Sequence, residues 1–471
     1  MTTPTNDQLC EWDRAHYWHS FTPMADYEPW VIARAEGSTL YDIEGKAYLD
    51  AASSMWCAAL GHNHPRVSAA VVEQLGRMAH CTSLGMGADV AVRLAKRLAD
   101  LAPGDLQHVF FSSDGSSAVE VAMKQALQYW RQCERPQPAK TKYLAFGEAY
   151  HGDTIGATAV GGIGRYHDVF GPILCEVIRV DPPDSRKLPP PGGEGWGGGM
   201  NPATRFAPPP RTPPHQGEGN RMAEGECAAA LARVEAVLAE QADTIAAVIV
   251  EPLVQCAAGM LMHPPGFLSG LRQLCDKHDV LLIADEVAVG FGRTGKLFAC
   301  NHEEVVPDFL CLGKHLTAGY VPMAATLTTP RLYEAFLNRN ATEDRTFWHG
   351  HTYSGNALAA AAAMATLDEF ESGLLDGLPA RIAHLGERLC HLAADPLVEH
   401  ARQRGMIAAF NLTEPIGRQI GRYAMDHGVW LRAKDDLVYV MPPLNIEAGD
   451  LDRIFDVISE GLESGTADGR G

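Results

Sequence analysis

Val280-Leu281-Leu282-Ile283-Ala284-Asp285-Glu286 is an apolar run that stops on two acids. A short hydrophobic run bounded by polar residues suits a strand buried on both faces. Outward from it, His108 to Phe111, Tyr143 to Phe146, Ile245 to Val250 and Phe309 to Leu312 have the same character. Between these runs, Ala118 to Trp130, Gly266 to Lys277 and Ala357 to Glu371 carry helical spacing. Buried strands alternating with helices predict an α/β fold, a mainly parallel sheet between helix layers with ligand chemistry at the carboxyl ends of its strands. After about Leu378 the pattern changes to helices (Ala380 to Ala394, Ile416 to His427) and short strands such as Leu437 to Met441, which predicts a smaller α+β domain. The expected division is 71–377 for the large domain, with 1–70 and 378–471 contributing to the small one.

The 471 residues are 46% hydrophobic and 21% charged, ordinary globular usage that excludes wholesale disorder. A formal charge of −19 has the wrong sign for a general nucleic-acid or anionic-membrane binder. The apolar stretch Ala357 to Leu367 is well short of the roughly 18 residues of a membrane span. Eleven cysteines lie scattered without a CxxC pair, and Met1 to Arg14 lacks a secretory pattern, so a reducing cytoplasm is expected. Residues 182–220 hold eleven prolines and eight glycines, a composition that predicts a surface insertion without helix or interior strand.

Three local patterns carry chemistry. Phe110-Phe111-Ser112-Ser113-Asp114-Gly115-Ser116-Ser117 runs from a strand through a Gly/Ser turn into a helix, a seat for phosphate at free N–H groups. Asp285 ends a buried strand, where a carboxylate can hold a protonated ring nitrogen. Lys314 follows Gly313 at the tip of another, where partial desolvation frees an amine to attack a carbonyl. Phosphate, ring nitrogen and aldehyde together describe pyridoxal 5'-phosphate. Gly290-Phe291-Gly292-Arg293-Thr294-Gly295 spells GxGxxG, but it lies five residues past its strand with no amphipathic helix after it, so it does not read as a dinucleotide fingerprint. The pairs His62/His64 and His349/His351 lack metal-ligand spacing, and no metal site is expected.

In order and wording these motifs resemble the class III, fold type I aminotransferases. The resemblance runs from about Trp12 to Glu460. Its carrying phrases include Ser53-Ser54-Met55-Trp56, Tyr150-His151-Gly152-Asp153-Thr154, Cys311-Leu312-Gly313-Lys314 and Val438-Tyr439-Val440-Met441-Pro442-Pro443. It implies a seven-stranded large-domain sheet and a homodimer with shared active sites. By the same resemblance Lys314 would bond the cofactor aldehyde and shuttle the proton, and Asp285 would keep the ring nitrogen protonated. Gly115 and Ser116 would seat the phosphate, which Thr352 would reach from the other subunit. Tyr150 would stack on the ring and Gln255 would touch its hydroxyl. Arg432 would pair with a substrate carboxylate, Trp56 would line the pocket, and Tyr439, Asp153, Gly350 and Arg293 would lie on the substrate side.

Within the family the wording is nearest the branch that aminates 8-amino-7-oxononanoate in biotin biosynthesis, with S-adenosylmethionine or L-lysine as donor. Phe21 and Met55 stand where users of S-adenosylmethionine commonly have Tyr and Trp. Together with Leu84-Gly85-Met86 they resemble the lysine users. Two alternatives stay open: a class III enzyme acting on ω-amino acids with pyruvate or 2-oxoglutarate, and a non-catalytic binding protein on the same scaffold.

Overall fold

The structure is a computed structural model that describes residues 3–184, 186 and 216–468. Near the N-terminus, β1 (Ile32–Glu36), β2 (Thr39–Asp42) and β3 (Ala47–Asp50) form an antiparallel ribbon. The central strands are β4 (His108–Ser112), β5 (Lys142–Phe146), β6 (Val177–Val180) and β7 (Ile245–Val250). After the small hairpin of β8 (Val254–Gln255) and β9 (Leu261–Met262) come β10 (Leu281–Asp285), β11 (Phe309–Leu312) and β12 (Ala324–Thr328). The seven-stranded sheet has the order β4-β12-β11-β10-β7-β5-β6 and is parallel except for β12, which runs antiparallel to both neighbours.

The continuous apolar runs are explained by two cores. In β10, Leu282 and Ala284 face one cluster and Leu281 and Ile283 the other. In β11, Leu310 and Leu312 alternate with Phe309 and Cys311 in the same way. Period-two alternation therefore carries no polar partner, because both faces are covered. The helix Gly115–Gln132 covers one face through Ala118, Val119 and Ala122. Helices Asp89–Leu101, Gln216–Gln241 and Phe267–Lys277 help to close the other. Helix Ala357–Glu369 buries most of its alanines and lies against helices Pro65–Arg77 and Asp89–Leu101, their small side chains letting the backbones approach closely. No helix among the described residues is long and apolar enough to cross a membrane.

At the C-terminal end, β13 (Val398–Arg404), β14 (Ile407–Leu412), β15 (Val429–Trp430), β16 (Arg432–Lys434) and β17 (Leu437–Val440) follow one another. Four of them make the sheet β13-β14-β17-β16, while β15 pairs in parallel with β3. The two ends of the chain thus share a sheet.

Two expectations about the fold are corrected. The helix beginning at Gln216 enters the span 182–220 that was expected to hold none. The last proline is Pro214, and beyond it nothing removes a backbone donor. Of that span, residue 185 and residues 187–215 lie outside those described. The boundary expected at 377 falls inside the helix Leu375–Leu392, whereas helical geometry is interrupted earlier, at Ser372 and Gly373 (φ 116°).

Candidate active site

Parallel register brings the chemistry-bearing ends together. Asp285 pairs with Cys311, so Lys314 emerges just beyond the carboxyl end of β10. Gly313 lies so close to Gly115 that a Cβ on it would stand 3.6 Å from the Gly115 Cα and 3.2 Å from Val287. Val287 also fills the space where a side chain on Gly115 would go. One valine therefore seats the lysine strand and the helix start side by side. Asp114 caps that helix by accepting from Ser117 N at 2.9 Å. As first-turn donors, the amides of Gly115 and Ser116 have no intrahelical partner.

Asp285 is buried, with one oxygen 2.7 Å from His151 Nδ1 and the other accepting from Val287 N at 3.1 Å. The chain reaches His151 through Tyr150, whose amide donates to the buried Glu251 at 3.0 Å. Burial pushes the Glu251 carboxyl up to about 7. The Tyr150 hydroxyl donates to Asp153 at 2.6 Å, and burial first, then Asp153, raises its pKa. Gly152 adopts φ 120° directly against Ser116, a place no side chain could share. The Asp153 amide closes this turn by donating to Ser116 Oγ at 3.2 Å.

On the opposite wall a row of side chains leads away from the lysine. Lys314 Nζ lies 5.3 Å from the Trp56 ring centre, and Trp56 Nε1 donates to the Tyr439 hydroxyl at 3.2 Å. Tyr439 is opposite Arg432 in the β16–β17 register. Trp56 and Met55 belong to an unusual turn: Ser53, Ser54, Met55 and Trp56 have φ of 48°, 45°, 62° and 67°. Each left-handed non-glycine residue costs about 1–2 kcal/mol, so the surroundings must enforce the conformation. Ser53 Oγ donates to Met441 O at 2.6 Å and Ser54 Oγ to Asp50 at 2.9 Å. Phe21, exposed at φ 54°, meets Tyr166 edge-on at 5.3 Å, and Tyr166 in turn meets Tyr150 at 5.8 Å.

Residues 22–462 match the class III aminotransferase family. The chain belongs to that family. It is 42% identical to the adenosylmethionine-8-amino-7-oxononanoate aminotransferase of Geobacter sulfurreducens, over 97% of this chain and 98% of the relative. Among solved structures, the enzyme of that same name from Methanocaldococcus jannaschii superposes with a TM-score of 0.83 at 33% identity, covering 97% of this chain and 99% of the other. An (S)-enantioselective omega-transaminase from Thermomicrobium roseum reaches 0.86 at 30% identity, covering 98% and 99%. The protein is therefore a pyridoxal-phosphate-dependent transaminase of fold type I. The donor set fits that cofactor: first-turn amides for an anion, a buried carboxylate for a protonated ring nitrogen, and an amine for an aldehyde.

Not every expected residue of this aminotransferase faces the site. Arg293 is wholly buried, and it donates to Met406 O at 3.2 Å and Pro442 O at 2.7 Å, so it is a strut rather than a substrate contact. The Gln255 amide is already engaged, donating to Gly147 O at 3.0 Å and lying 3.2 Å from His263, so its contact with a ring hydroxyl is not prepared. Glu286, beside Asp285, turns away to accept from Ala299 N and Cys300 N, and burial pushes it up to about 7. Gly350 and Thr352 are exposed, on a segment whose His351 lies 3.1 Å from Ser113 Oγ of the phosphate turn. The histidine pairs are divided among separate partners: His62 with Asp50, His349 with Lys124, His351 with Ser113. The sequence reading missed Val287, Tyr166 and Glu251. Only Glu251, an acid at the end of the run Ile245 to Val250, carried a local signal.

Proposed function

We propose that this aminotransferase transfers an amino group to 8-amino-7-oxononanoate, giving 7,8-diaminononanoate in biotin biosynthesis, with L-lysine as donor. The observation that carries the reading is the row Lys314, Trp56, Tyr439, Arg432. It sets a carboxylate-binding guanidinium at the far end of an aromatic wall from the reactive amine, as a long keto acid with a terminal carboxylate requires. The full-length relatives named for that substrate support it. When bound, pyridoxal phosphate supplies an aldehyde and an electron-withdrawing ring. Gly115 and Ser116 would anchor its phosphate through the helix start, while Asp285, oriented by His151, would hold a proton at the ring nitrogen. Lys314 Nζ takes the proton from the substrate carbon and returns it across the face of the site, and Trp56 excludes water there. Tyr150 would pack beside the ring, with Asp153 fixing its hydroxyl.

Lysine is favoured because Phe21 and Met55 withhold the hydroxyl and indole of the nucleoside-binding pattern. S-adenosylmethionine, which the relatives' names contain, is the competing donor. The working unit is proposed to be a cytoplasmic homodimer in which Thr352 reaches the partner's site. The exposed Trp348 and Tyr353 beside it support burial against a second copy. The two chain ends, up to about residue 70 and beyond the break at Ser372 and Gly373, are proposed to act as one domain beside the sheet between them, on the strength of the β3–β15 pairing. Mixing the cofactor-loaded protein with single donors and following the cofactor's absorbance tests the donor. L-lysine alone is expected to convert it, and conversion by S-adenosylmethionine but not lysine would overturn that part.

A further inference from the structure

We infer that Asp50 and His62 are positioning residues for the substrate pocket, acting through the left-handed turn Ser53–Trp56 that their hydrogen bonds hold in place. The inference rests on the proposed role of Trp56. Asp50 is completely buried. One of its oxygens accepts from Ala52 N at 3.2 Å; the other accepts from Ser54 Oγ and lies against His62 Nε2, both at 2.9 Å. Its backbone is pinned separately, its N–H donating to Ser38 O at 2.8 Å and its position opposite Trp430 in the β3–β15 pairing. His62 is fixed by a two-way backbone bridge with Gly37, at 2.7 and 2.9 Å. Asp50 is thus a carboxylate held from two directions, and it grips the residue that leads into the turn and the turn's second residue.

Four successive left-handed residues relax to ordinary conformations unless they are gripped. Met441 O holds Ser53, and the Tyr439 hydroxyl meets Trp56 at the other end. Between them Ser54 has only Asp50 as a side-chain partner close to 3 Å, His62 lying at 3.5 Å. Loosening Asp50 frees the turn to swing Trp56 away from Tyr439 and Lys314 without touching either of them. The strain then sets the width of the pocket rather than the chemistry at the lysine.

Two measurements test this. In cofactor-loaded full-length protein, Asp50→Asn and His62→Gln are expected to raise KM for 8-amino-7-oxononanoate about tenfold and to change kcat less than about twofold. An unchanged KM, or an equal loss in kcat, overturns the inference. In protein without cofactor, Met55→Gly removes the cost of a left-handed φ and is expected to raise the unfolding midpoint by about 2 °C. The same glycine is expected to do nothing on the Asp50→Asn background, where the turn has already relaxed. Equal gains in both backgrounds overturn the inference. Should Asp50→Asn fail to fold, Ser54→Ala removes one contact, and an unchanged KM then decides against it. The glycine comparison needs no substrate, so it fails or holds independently of the proposed reaction.

Discussion

Lys314 stands at one end of a row of side chains and Arg432 at the other, and the two ends predict different losses. Lys314→Ala removes the amine proposed to move the proton, so single-turnover transamination is expected to fall by at least about 10²–10⁴-fold. Borohydride should then no longer fix cofactor mass to the protein. Arg432→Leu leaves that chemistry intact and removes charged hydrogen bonds of about 1.5–3 kcal/mol, so KM for the keto acid is expected to rise roughly 10–150-fold. A fall confined to kcat would contradict its role. Lys314 and Asp285 were legible because a charged residue ending an apolar run is a local anomaly. Val287 was not, since a valine after two acids looks like any other until Gly115 and Gly313 close on it. His151 was visible as part of a phrase, but its partner Asp285 lies 134 residues away in the chain.

At the level of elements, the site depends on two backbones meeting without side chains between them. Gly152→Ala places a methyl against Ser116 at a φ of 120°, at a cost of about 1–3 kcal/mol. The turn would move off the helix start, and cofactor affinity is expected to weaken roughly 5–150-fold with the fold retained. Equilibrium dialysis with circular dichroism separates the two effects, and unchanged affinity would count against the seat. Strands β7 and β11 begin and end where the apolar runs do, because a doubly buried strand cannot extend past its first polar residue. The antiparallel β12 was missed: Ala324-Ala325-Thr326-Leu327-Thr328 has β-branched threonines but little hydrophobic contrast. Its Thr326 hydroxyl is buried only because it can donate to Ala118 O at 2.7 Å. The left-handed turn had no sequence signal, since none of its four residues is glycine.

Across the whole molecule, burial also sets the response to acid. His263 is buried, and desolvation, then the nearby Arg404 charge, holds its pKa down to about 3. The unfolded chain binds a proton there near 6.5 while the folded chain does not. Its contribution is therefore complete above pH 6.5 and is lost as pH falls towards 3, by about 1.4 kcal/mol per unit. His263→Gln is expected to flatten the acid limb of stability measured by denaturant midpoints, and an unchanged slope would contradict this. The α/β class was legible from the alternation of apolar runs with helical spacing. The sharing of one sheet by both chain ends was not, because β3 and β15 are two short strands nearly four hundred residues apart. The most direct test of the central claim is the mass of the product formed from 8-amino-7-oxononanoate and L-lysine by the cofactor-loaded protein. The expected result is 7,8-diaminononanoate from the wild type and none from Lys314→Ala. Failure to form it with either lysine or S-adenosylmethionine, alongside turnover of an ω-amino acid with pyruvate, would contradict the account.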